Sequence, residues 1–284
     1  VLIDENKKVV AEVKSPTTKD VYSVILSAMH PVLEIGGINR EDVAQAMLGT
    51  TQCTNAIVER KNLAKIGVLR IGAPATMGIV PMVDWDEDLK AIAEEVAIIG
   101  GGFEYDGRLL APFDREAATA FFTKLKGRVD SVAIASVFAT VRNDHELEAA
   151  ELAREIMGED THLSISSEIG SISLIERENA TILNAALHKV ALSFTDGFAR
   201  SLEEEGIRNA AVYLSQNDGT LMSMDFARRY PILTIACGPT NSIRGASYLS
   251  KMENAAIIDV GGTTTDVGLV QKGFPRESSV AVTI

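Results

Sequence analysis

The stretch Ala255–Val270 reads AAIIDVGGTTTDVGLV and places one polar turn between two apolar segments. Residues 256–258 and 267–270 are mostly β-branched or aliphatic, which favours buried strands. Between these segments stand Asp259, two glycines, three threonines and Asp266. Because glycine tolerates dihedral angles that other residues avoid, the stretch predicts a strand, a tight polar turn and a second strand.

The turn of this predicted hairpin has the composition of a phosphate site. Its backbone N–H groups stand beside three hydroxyl groups, and such a nest of donors binds phosphate. The carboxylates at its two ends, Asp259 and Asp266, suit a divalent metal that accompanies a nucleotide phosphate. A glycine-rich hairpin without any ligand is the alternative, because short glycine-rich patterns also occur by chance.

Composition excludes several classes of protein. The chain has 284 residues, of which 46% are hydrophobic, so it can bury a large core in about two domains. A formal net charge of −12 argues against nucleic acid or an anionic membrane as the main partner. No apolar run approaches the roughly 20 residues of a membrane span, and the N-terminus lacks a signal-peptide pattern. We therefore expect a cytoplasmic protein.

The cysteines and histidines form no metal motif. Cys53 and Cys237 lie far apart in sequence, which argues against a zinc site or a disulfide framework. Cys237 falls in an apolar run that is typical of a core. The histidines lack the i, i+4 spacing of a metal-binding helix, so we expect surface or capping roles for them. His145 is the exception to examine for function, because Asn143, Asp144 and Glu146 crowd the same turn.

Strands and helices alternate along the chain, which predicts a parallel sheet and an α/β fold. The predicted strands cover 1–3, 9–11, 65–71, 131–135, 162–165, 210–214 and 232–236. The predicted helices begin at 21 and cover 41–48, 86–97, 114–125, 144–157, 180–205 and 242–251. The pattern weakens between residues 75 and 108, where we expect a small insert.

Two polar clusters are candidate ligand sites. The first, which precedes an amphipathic segment, contains Gly49, Thr50, Thr51, Thr54 and Asn55. It is either a helix N-cap or a ligand-facing surface. The second is Ser215–Thr220, which follows a predicted strand. Ligands bind at the carboxyl ends of strands in open α/β sheets, although a plain β-turn is the alternative.

Several of these segments resemble the hydantoinase A and oxoprolinase family, within the superfamily of actin, hexokinase and heat-shock-chaperone ATPases. The similar segments span nearly the whole chain and are Leu48–Thr51 with Thr54–Ala56, Asp144–Leu147, Ser167–Ile169, Glu176–Asn179, Asn184–Ala185, Gln216–Gly219, Gly238–Ser242, and Ile258–Gly262 with Thr264 and Asp266. The resemblance implies a two-lobed, actin-like ATPase (ribonuclease H-like) fold with mixed sheets flanked by helices. It implies an N-terminal lobe over residues 1–178 and the start of the catalytic lobe over 179–284.

The resemblance also implies an activity, namely the ATP-dependent ring opening of a cyclic amide such as a hydantoin or 5-oxoproline. Phosphorylation of the carbonyl oxygen would make this poor electrophile reactive, with ATP and Mg²⁺ as cofactors. Asp259 and Asp266 are expected to hold magnesium or its waters, or to orient the nucleophile. Nucleotide contacts are expected from Gly238, Thr240, Asn241, Gly261, Gly262, Thr263 and Thr264, and substrate contacts from Thr50, Thr51, Thr54, Asn55, Gln216 and Asp218. A second, hydantoinase B-like subunit is the expected partner, with a homo-oligomer as a further arrangement.

The chain departs from the family pattern in three respects. The first Asp-x-Gly-Gly-Thr loop does not occur ahead of Val1, the adenosine-binding segment does not follow the second loop, and Thr263 replaces a glycine of the chaperones. We therefore expect the middle part of a longer protein, which alone binds ATP weakly and is inactive. Two other functions stay open: an ATPase of the same fold that reactivates a partner protein as a chaperone, and a non-catalytic subunit of a larger complex.

Overall fold

The computed structural model describes residues 1–15, 21–170, 173–260 and 265–276, and it confirms an α/β fold in which several sheets are flanked by helices. The strands are β1 (Leu2–Ile3), β2 (Val9–Ala11), β3 (Gln45–Leu48), β4 (Ile66–Ala73), β5 (Ala93–Gly100), β6 (Ser131–Ser136), β7 (His162–Ile165), β8 (Ala211–Ser215), β9 (Leu221–Ser223), β10 (Ala255–Val260), β11 (Thr265–Gln271) and β12 (Phe274–Pro275). The helices are α1 (Val21–Gly36), α2 (Gln52–Glu59), α3 (Glu87–Lys90), α4 (Arg115–Leu125), α5 (Asp144–Met157), α6 (Ser166–Ile169), α7 (Ile175–Ala186), α8 (His188–Glu204), α9 (Met224–Arg229) and α10 (Cys237–Ser250). None of these described helices combines the length and the apolar composition that crossing a bilayer requires.

The chain divides into two compact units. Unit 1 comprises residues 1–54, 190–228 and 233–284, and unit 2 comprises residues 55–189 and 229–232. Each unit has its own sheets and its own buried cluster of apolar side chains. The division into 1–178 and 179–284 implied by the family resemblance stays a prediction.

Unit 2 is built on a parallel sheet. Its strand order is β5-β4-β6-β7, and each neighbouring pair is parallel. Helices α4 and α5 cover one face, where Leu69 and Ile71 belong to a buried cluster. Helix α7 covers the other face, where Ile66 and Val68 pack with Ile182. Because β4 lies between two helical layers, its residues are buried almost without interruption, which accounts for its continuous apolar sequence.

Unit 1 contains three sheets within its described residues. In the sheet β3-β8-β9, strands β3 and β8 are parallel and β9 is antiparallel to β8. Strands β1 and β2 form a hairpin, and β10, β11 and β12 form an antiparallel meander. A buried cluster that includes Ala11, Leu33 and Phe198 joins α1 and α8 to the first two of these sheets. The strand–turn–strand prediction for Ala255–Val270 is confirmed for its two strands. Their predicted burial is wrong, because Ile258, Val267 and Leu269 are each more than half exposed.

Four predicted elements are wrong. The single helix predicted over 180–205 is two helices, α7 and α8, which are separated at Leu187. The helix predicted over 41–48 is a 3-10 turn, Arg40–Asp42, followed by β3, which pairs with β8. The helix predicted over 86–97 is the short α3 followed by β5, so the expected insert contributes an edge strand to the unit 2 sheet. In both cases strand pairing outweighs helix propensity, which is a weak determinant. The strand predicted over 232–236 is a 3-10 helix, Pro231–Thr234, that leads into α10.

Helix α10 packs along the hairpin formed by β10 and β11. A Cβ atom at Gly268 would lie 2.1 Å from Ile243 Cδ1, so the glycine lets the strand approach the helix closely. Residues 251–254 join α10 directly to β10. The strand therefore runs back along the helix that it packs against.

We expect Gly268→Ala to lower the free energy of unfolding by about 1–3 kcal/mol, because the added methyl group forces Ile243 and the hairpin apart. Gly245→Ala is the matched control, because Gly245 lies on α10, the helix that carries Ile243. In the described structure, no heavy atom apart from the chain neighbours of Gly245 and the backbone of its own helix turn lies within 4 Å of a Cβ atom at this position, so this change should stabilise α10 by about 0.5–1 kcal/mol. Urea unfolding of both variants measures the difference, and equal effects would contradict the close packing at Gly268.

Candidate functional site

The predicted substrate residues of unit 1 collect at one edge of the sheet β3-β8-β9. Because β3 and β8 are parallel, the residues that follow them lie at the same edge. Thr50 and Thr51 follow β3, whereas Gln216 and Asp218 follow β8. Helix α2 begins at this edge, which places Thr54 in its first turn. The structure thus brings together residues that are more than 150 positions apart in the chain.

The first turn of α10 lies against the first turn of α2. The backbone N–H of Ala236 donates to Thr54 Oγ1 at 3.3 Å, and the Cys237 thiol donates to the carbonyl oxygen of Thr50 at 3.2 Å. Ala236 has a φ of 61°, a left-handed conformation that is uncommon for a residue with a Cβ atom. Two helix N-termini therefore lie side by side, and their dipoles favour a ligand group with negative charge.

The predicted nucleotide residues of α10 also lie at this edge. Gly238, Thr240 and Asn241 are in its first half. The Thr240 hydroxyl donates to the carbonyl oxygen of Asn217 at 2.8 Å, which ties the helix to the turn after β8. A Cβ atom at Gly49 would lie 2.8 Å from Asn241 Nδ2, so the glycine leaves room for the amide.

Some of the predicted substrate residues have structural roles. Thr50 Oγ1 accepts a hydrogen bond from the Gln52 N–H at 3.2 Å, as a helix cap does. Asp218 Oδ1 accepts from the N–H and the hydroxyl of Thr220 at 2.8 and 2.7 Å, as in an Asx-turn. Asn55 is exposed and belongs to unit 2. Contact of these side chains with a substrate stays a prediction.

Asp259 and Asp266 face each other across the β10–β11 hairpin. They are direct partners in the antiparallel register, and strand periodicity places them on the side of Ile257 and Gly268, against which α10 packs. Asp259 is exposed and Asp266 is half-buried. Like charges directly opposite each other destabilise a sheet. The predicted phosphate-binding residues between the two strands, Gly261, Gly262, Thr263 and Thr264, lie outside the described residues.

Both cysteines are buried next to the edge formed by β3 and β8. Cys53 and Cys237 are free thiols. Burial raises the pKa of Cys53 to about 12, and it also raises the pKa of Cys237. The thiols therefore stay protonated at neutral pH and are poor nucleophiles. The core position predicted for Cys237 is confirmed, because this residue is 1% exposed.

Unit 2 contains a buried polar network at the carboxyl ends of β6 and β7. Glu146 accepts hydrogen bonds from the N–H groups of Ser136 at 2.8 Å and Ser167 at 3.0 Å. Burial raises the pKa of Glu146, while hydrogen bonds from Ser166 and Ser167 act in the opposite direction. Arg177 donates to the Ser136 carbonyl oxygen at 2.9 Å and lies 3.8 Å from the Glu146 carboxylate. Because these groups bind one another, the network holds α5 and α7 on the sheet.

A second buried pair lies on the α7 face of the same sheet. Arg70 of β4 pairs with Glu178 through two hydrogen bonds, and each side chain is 1% exposed. Arg70 also donates to the carbonyl oxygens of Thr76 and Ile79. Glu178 belongs to one of the segments that resemble the family, but its partner stands 108 positions earlier in the chain. This separation hides the pair from any local sequence pattern.

His145 has a structural role. Its side chain, which the sequence set apart from the other histidines as a candidate for function, is only 8% exposed. Its Nδ1 atom accepts a hydrogen bond from the Gly102 N–H at 2.9 Å, and its ring packs 4.6 Å from the ring of Phe103. Burial lowers the pKa of His145. The ring is therefore neutral near pH 7. Because Nδ1 accepts the hydrogen bond from Gly102, the proton of the neutral ring lies on Nε2.

Two family models together match most of the chain. The model for the hydantoinase/oxoprolinase N-terminal region matches residues 1–157, and the hydantoinase/oxoprolinase model matches residues 177–283. The chain belongs to the hydantoinase/oxoprolinase family. This confirms the resemblance carried by the separated sequence segments.

The fold of this hydantoinase/oxoprolinase chain is similar to two solved structures. One is a nucleotide-free acetone carboxylase, described with the mechanism of ATP-dependent acetone carboxylation, with a TM-score of 0.72 at 17% identity over 92% of the chain. The other is an ATP-dependent caprolactamase from Pseudomonas jessenii, with a TM-score of 0.72 at 21% identity over 90% of the chain. The chain spans 40% of the length of each. At these identities the likeness establishes the fold.

Proposed function

We propose that this chain takes part in the ATP-dependent ring opening of a cyclic amide, of which hydantoins and 5-oxoproline are the first candidates. Membership of the hydantoinase/oxoprolinase family supports this reaction class. The observation that carries the proposal is the direct opposition of Asp259 and Asp266 at the end of a hairpin that packs on α10. A purely structural hairpin gains nothing from two carboxylates that repel each other.

A magnesium ion fits the Asp259–Asp266 pair. Magnesium keeps several waters and is bound by one or two carboxylates together with substrate phosphates. Asp259 is exposed and Asp266 is half-buried, which leaves room for that water shell. No group of three or more His, Cys, Asp and Glu side chains that could hold a metal occurs among the described residues, so the remaining ligands would be water and phosphate. When bound, magnesium neutralises charge on the phosphates.

The edge formed by β3, β8 and the start of α10 is the proposed amide-binding surface. An amide presents one acceptor and one donor, and the candidate residues Thr51, Asn241 and Gln216 offer hydroxyl and amide groups that match both. In the proposed reaction the carbonyl oxygen attacks the γ-phosphorus and ADP leaves. One water then adds to the activated carbon and the C–N bond breaks, which leaves an amine and an acyl phosphate. A second water hydrolyses the acyl phosphate to a carboxylate and free phosphate. These residues would orient the amide plane, since phosphoryl transfer depends mainly on positioning and charge stabilisation.

The proposal extends to the location and assembly of the protein. ATP as the phosphoryl donor favours a cytoplasmic reaction. A second, hydantoinase B-like subunit would complete the enzyme, and we keep the boundary between residues 178 and 179 as the proposed start of the catalytic lobe. Roles for Gly261, Gly262, Thr263 and Thr264 in phosphate binding are likewise part of the proposal.

The deciding experiment measures phosphate release from ATP with and without hydantoin, 5-oxoproline and ε-caprolactam, in the presence and absence of the second subunit. We expect one of these cyclic amides to stimulate ATP hydrolysis, whereas its ring-opened product does not. Mass spectrometry of the amide then checks that ring opening matches the phosphate released. Stimulation of ATP hydrolysis by a protein partner alone would favour the chaperone alternative. A rate of ATP hydrolysis that neither the amides nor the second subunit changes would favour a non-catalytic subunit.

A further inference from the structure

His162 and His188 form a stacked pair in unit 2. Their ring centroids are 3.8 Å apart and the ring planes differ by 12°. In the described part of the chain, the buried atoms Nε2 of His162 and Nδ1 of His188 have no hydrogen-bond partner. Neutral imidazoles can stack in this way, whereas a proton on one ring would place an unpaired charge in a partly dehydrated site. The stacked arrangement therefore requires both rings to be neutral.

The charged groups that face the pair oppose its protonation on balance. Arg229 and His188 act on His162, and together with burial, the largest cause, they lower its pKa to about 3. Burial also lowers the pKa of His188, with Lys189 acting in the same direction and Asp130 against it. Asp130 is itself paired with Lys189 at 2.8 Å, which reduces its pull on His188.

The pair lies beside two places where the chain passes from one unit to the other. His188 is the first residue of α8, and the chain leaves unit 2 after Lys189. The chain then returns to unit 2 for the short segment 229–232. Arg229, the first residue of this segment, is one of the charges that act on His162.

Polar contacts anchor segment 229–232 on unit 2. The buried Asn184 donates from Nδ2 to the Arg229 carbonyl oxygen at 3.0 Å and accepts at Oδ1 from the Ile232 N–H at 3.2 Å. Glu168 accepts from the Arg229 guanidinium at 2.6 Å and from the Tyr230 hydroxyl at 3.0 Å. Asn184 Nδ2 also donates to Ser164 Oγ at 3.0 Å, and Ser164 lies two residues after His162 on the same face of β7, so the anchor and the stacked rings form one neighbourhood.

We propose that the His162–His188 pair is an acid-sensitive latch, which holds segment 229–232 and the start of α8 on unit 2 and releases them when it takes up a proton. A protonated His162 faces Arg229, so relief of this repulsion draws the segment away from Asn184 and Glu168. The latch contributes fully above the open-state histidine pKa of about 6.5 and weakens as pH falls below it, because the open form binds protons more tightly.

Amide hydrogen exchange of the full chain between pH 7 and pH 5 tests this latch. After correction for the intrinsic rate, we expect exchange in residues 187–192 and 229–233 to rise about twentyfold, which is the gain for one histidine that titrates near 6.5 only when open. Strand β4 serves as the reference and should show no such rise. A flat pH response in both segments would overturn the proposal.

Histidine variants separate the latch from general acid sensitivity. His162→Gln and His188→Gln should each reduce the pH response of the two segments, and the double variant should abolish it. His30→Gln is the matched control, because His30 is 62% exposed in unit 1 and pairs with Glu205 at 3.0 Å, and it should leave the response intact. If the double variant does not fold, the pH responses of the two single variants test the proposal. An unchanged response in both single variants would show that other groups, such as His145, cause the acid sensitivity.

Discussion

Asp259→Asn should lower the rate of ATP hydrolysis about a hundredfold or more, while the melting temperature stays unchanged or rises. Asparagine keeps the size of the side chain and its ability to accept a hydrogen bond. It removes one of two charges that face each other across β10 and β11, and relief of that repulsion favours the folded hairpin. Activity and stability should therefore change in opposite directions, as at sites where function costs stability.

This expectation is checked by steady-state phosphate release and thermal melting, measured on a form of the protein that hydrolyses ATP. Asp225→Asn is the matched control, because Asp225 is an aspartate of unit 1 whose side chain is 94% exposed and only weakly paired with Arg228. It should leave both quantities unchanged. If Asp259→Asn melts many degrees lower while its folded molecules keep the parent rate, the carboxylate pair is structural and the proposed magnesium site is wrong.

Glu178→Gln should lower the free energy of unfolding by about 3–5 kcal/mol. The substitution leaves the Arg70 guanidinium as an uncompensated charge in a site where both side chains are 1% exposed. Chemical denaturation followed by circular dichroism measures the loss. Because Glu178 belongs to unit 2, whereas the candidate residues that follow β3 and β8 belong to unit 1, we expect the folded fraction to bind nucleotide and metal as the parent does.

A double variant distinguishes a lost ion pair from lost packing. Arg70→Met together with Glu178→Met removes both charges and should recover part of the stability, since an apolar pair can replace a buried ion pair. Recovery should stay incomplete, because the carbonyl oxygens of Thr76 and Ile79 lose their donor. Glu59→Gln, which breaks an exposed pair with Lys61, should produce no measurable change. A double variant no more stable than Glu178→Gln alone would argue against charge burial as the cause.

Local sequence signals predicted the elements that are stabilised locally. Helix α5 has acidic residues in its first turn and an apolar stripe, and its predicted bounds, 144–157, match the structure. Strands β3 and β5 were missed because their pairing partners lie elsewhere in the chain. Gln45–Leu48 pair with residues more than 160 positions later, and their Ala, Met, Leu and Gln residues taken alone favour a helix.

The candidate site was likewise predictable only where its residues lie within one short segment of the chain. The carboxylates at 259 and 266 are visible in one short motif, so their opposition follows from the hairpin alone. The place of Asn241 beside Gly49 and the bond from Ala236 to Thr54 depend on the packing of α10 against α2. No spacing rule links segments that are this far apart. Polar residues at strand ends were the available signal, and they marked the edge of the sheet β3-β8-β9 but not the packing of α10 against it.

The parallel pairing of β3 with β8 has a consequence for protein synthesis. Roughly 160 residues separate Leu48 from Ala211, and most of them belong to unit 2. At about 5–20 residues per second, a ribosome needs on the order of 8–30 s to make the second strand after the first. During this interval β3 has been synthesised and its partner β8 has not, while unit 2 leaves the ribosome as a nearly continuous segment. Translation order therefore favours folding of unit 2 before the sheet of unit 1 that β3 and β8 form.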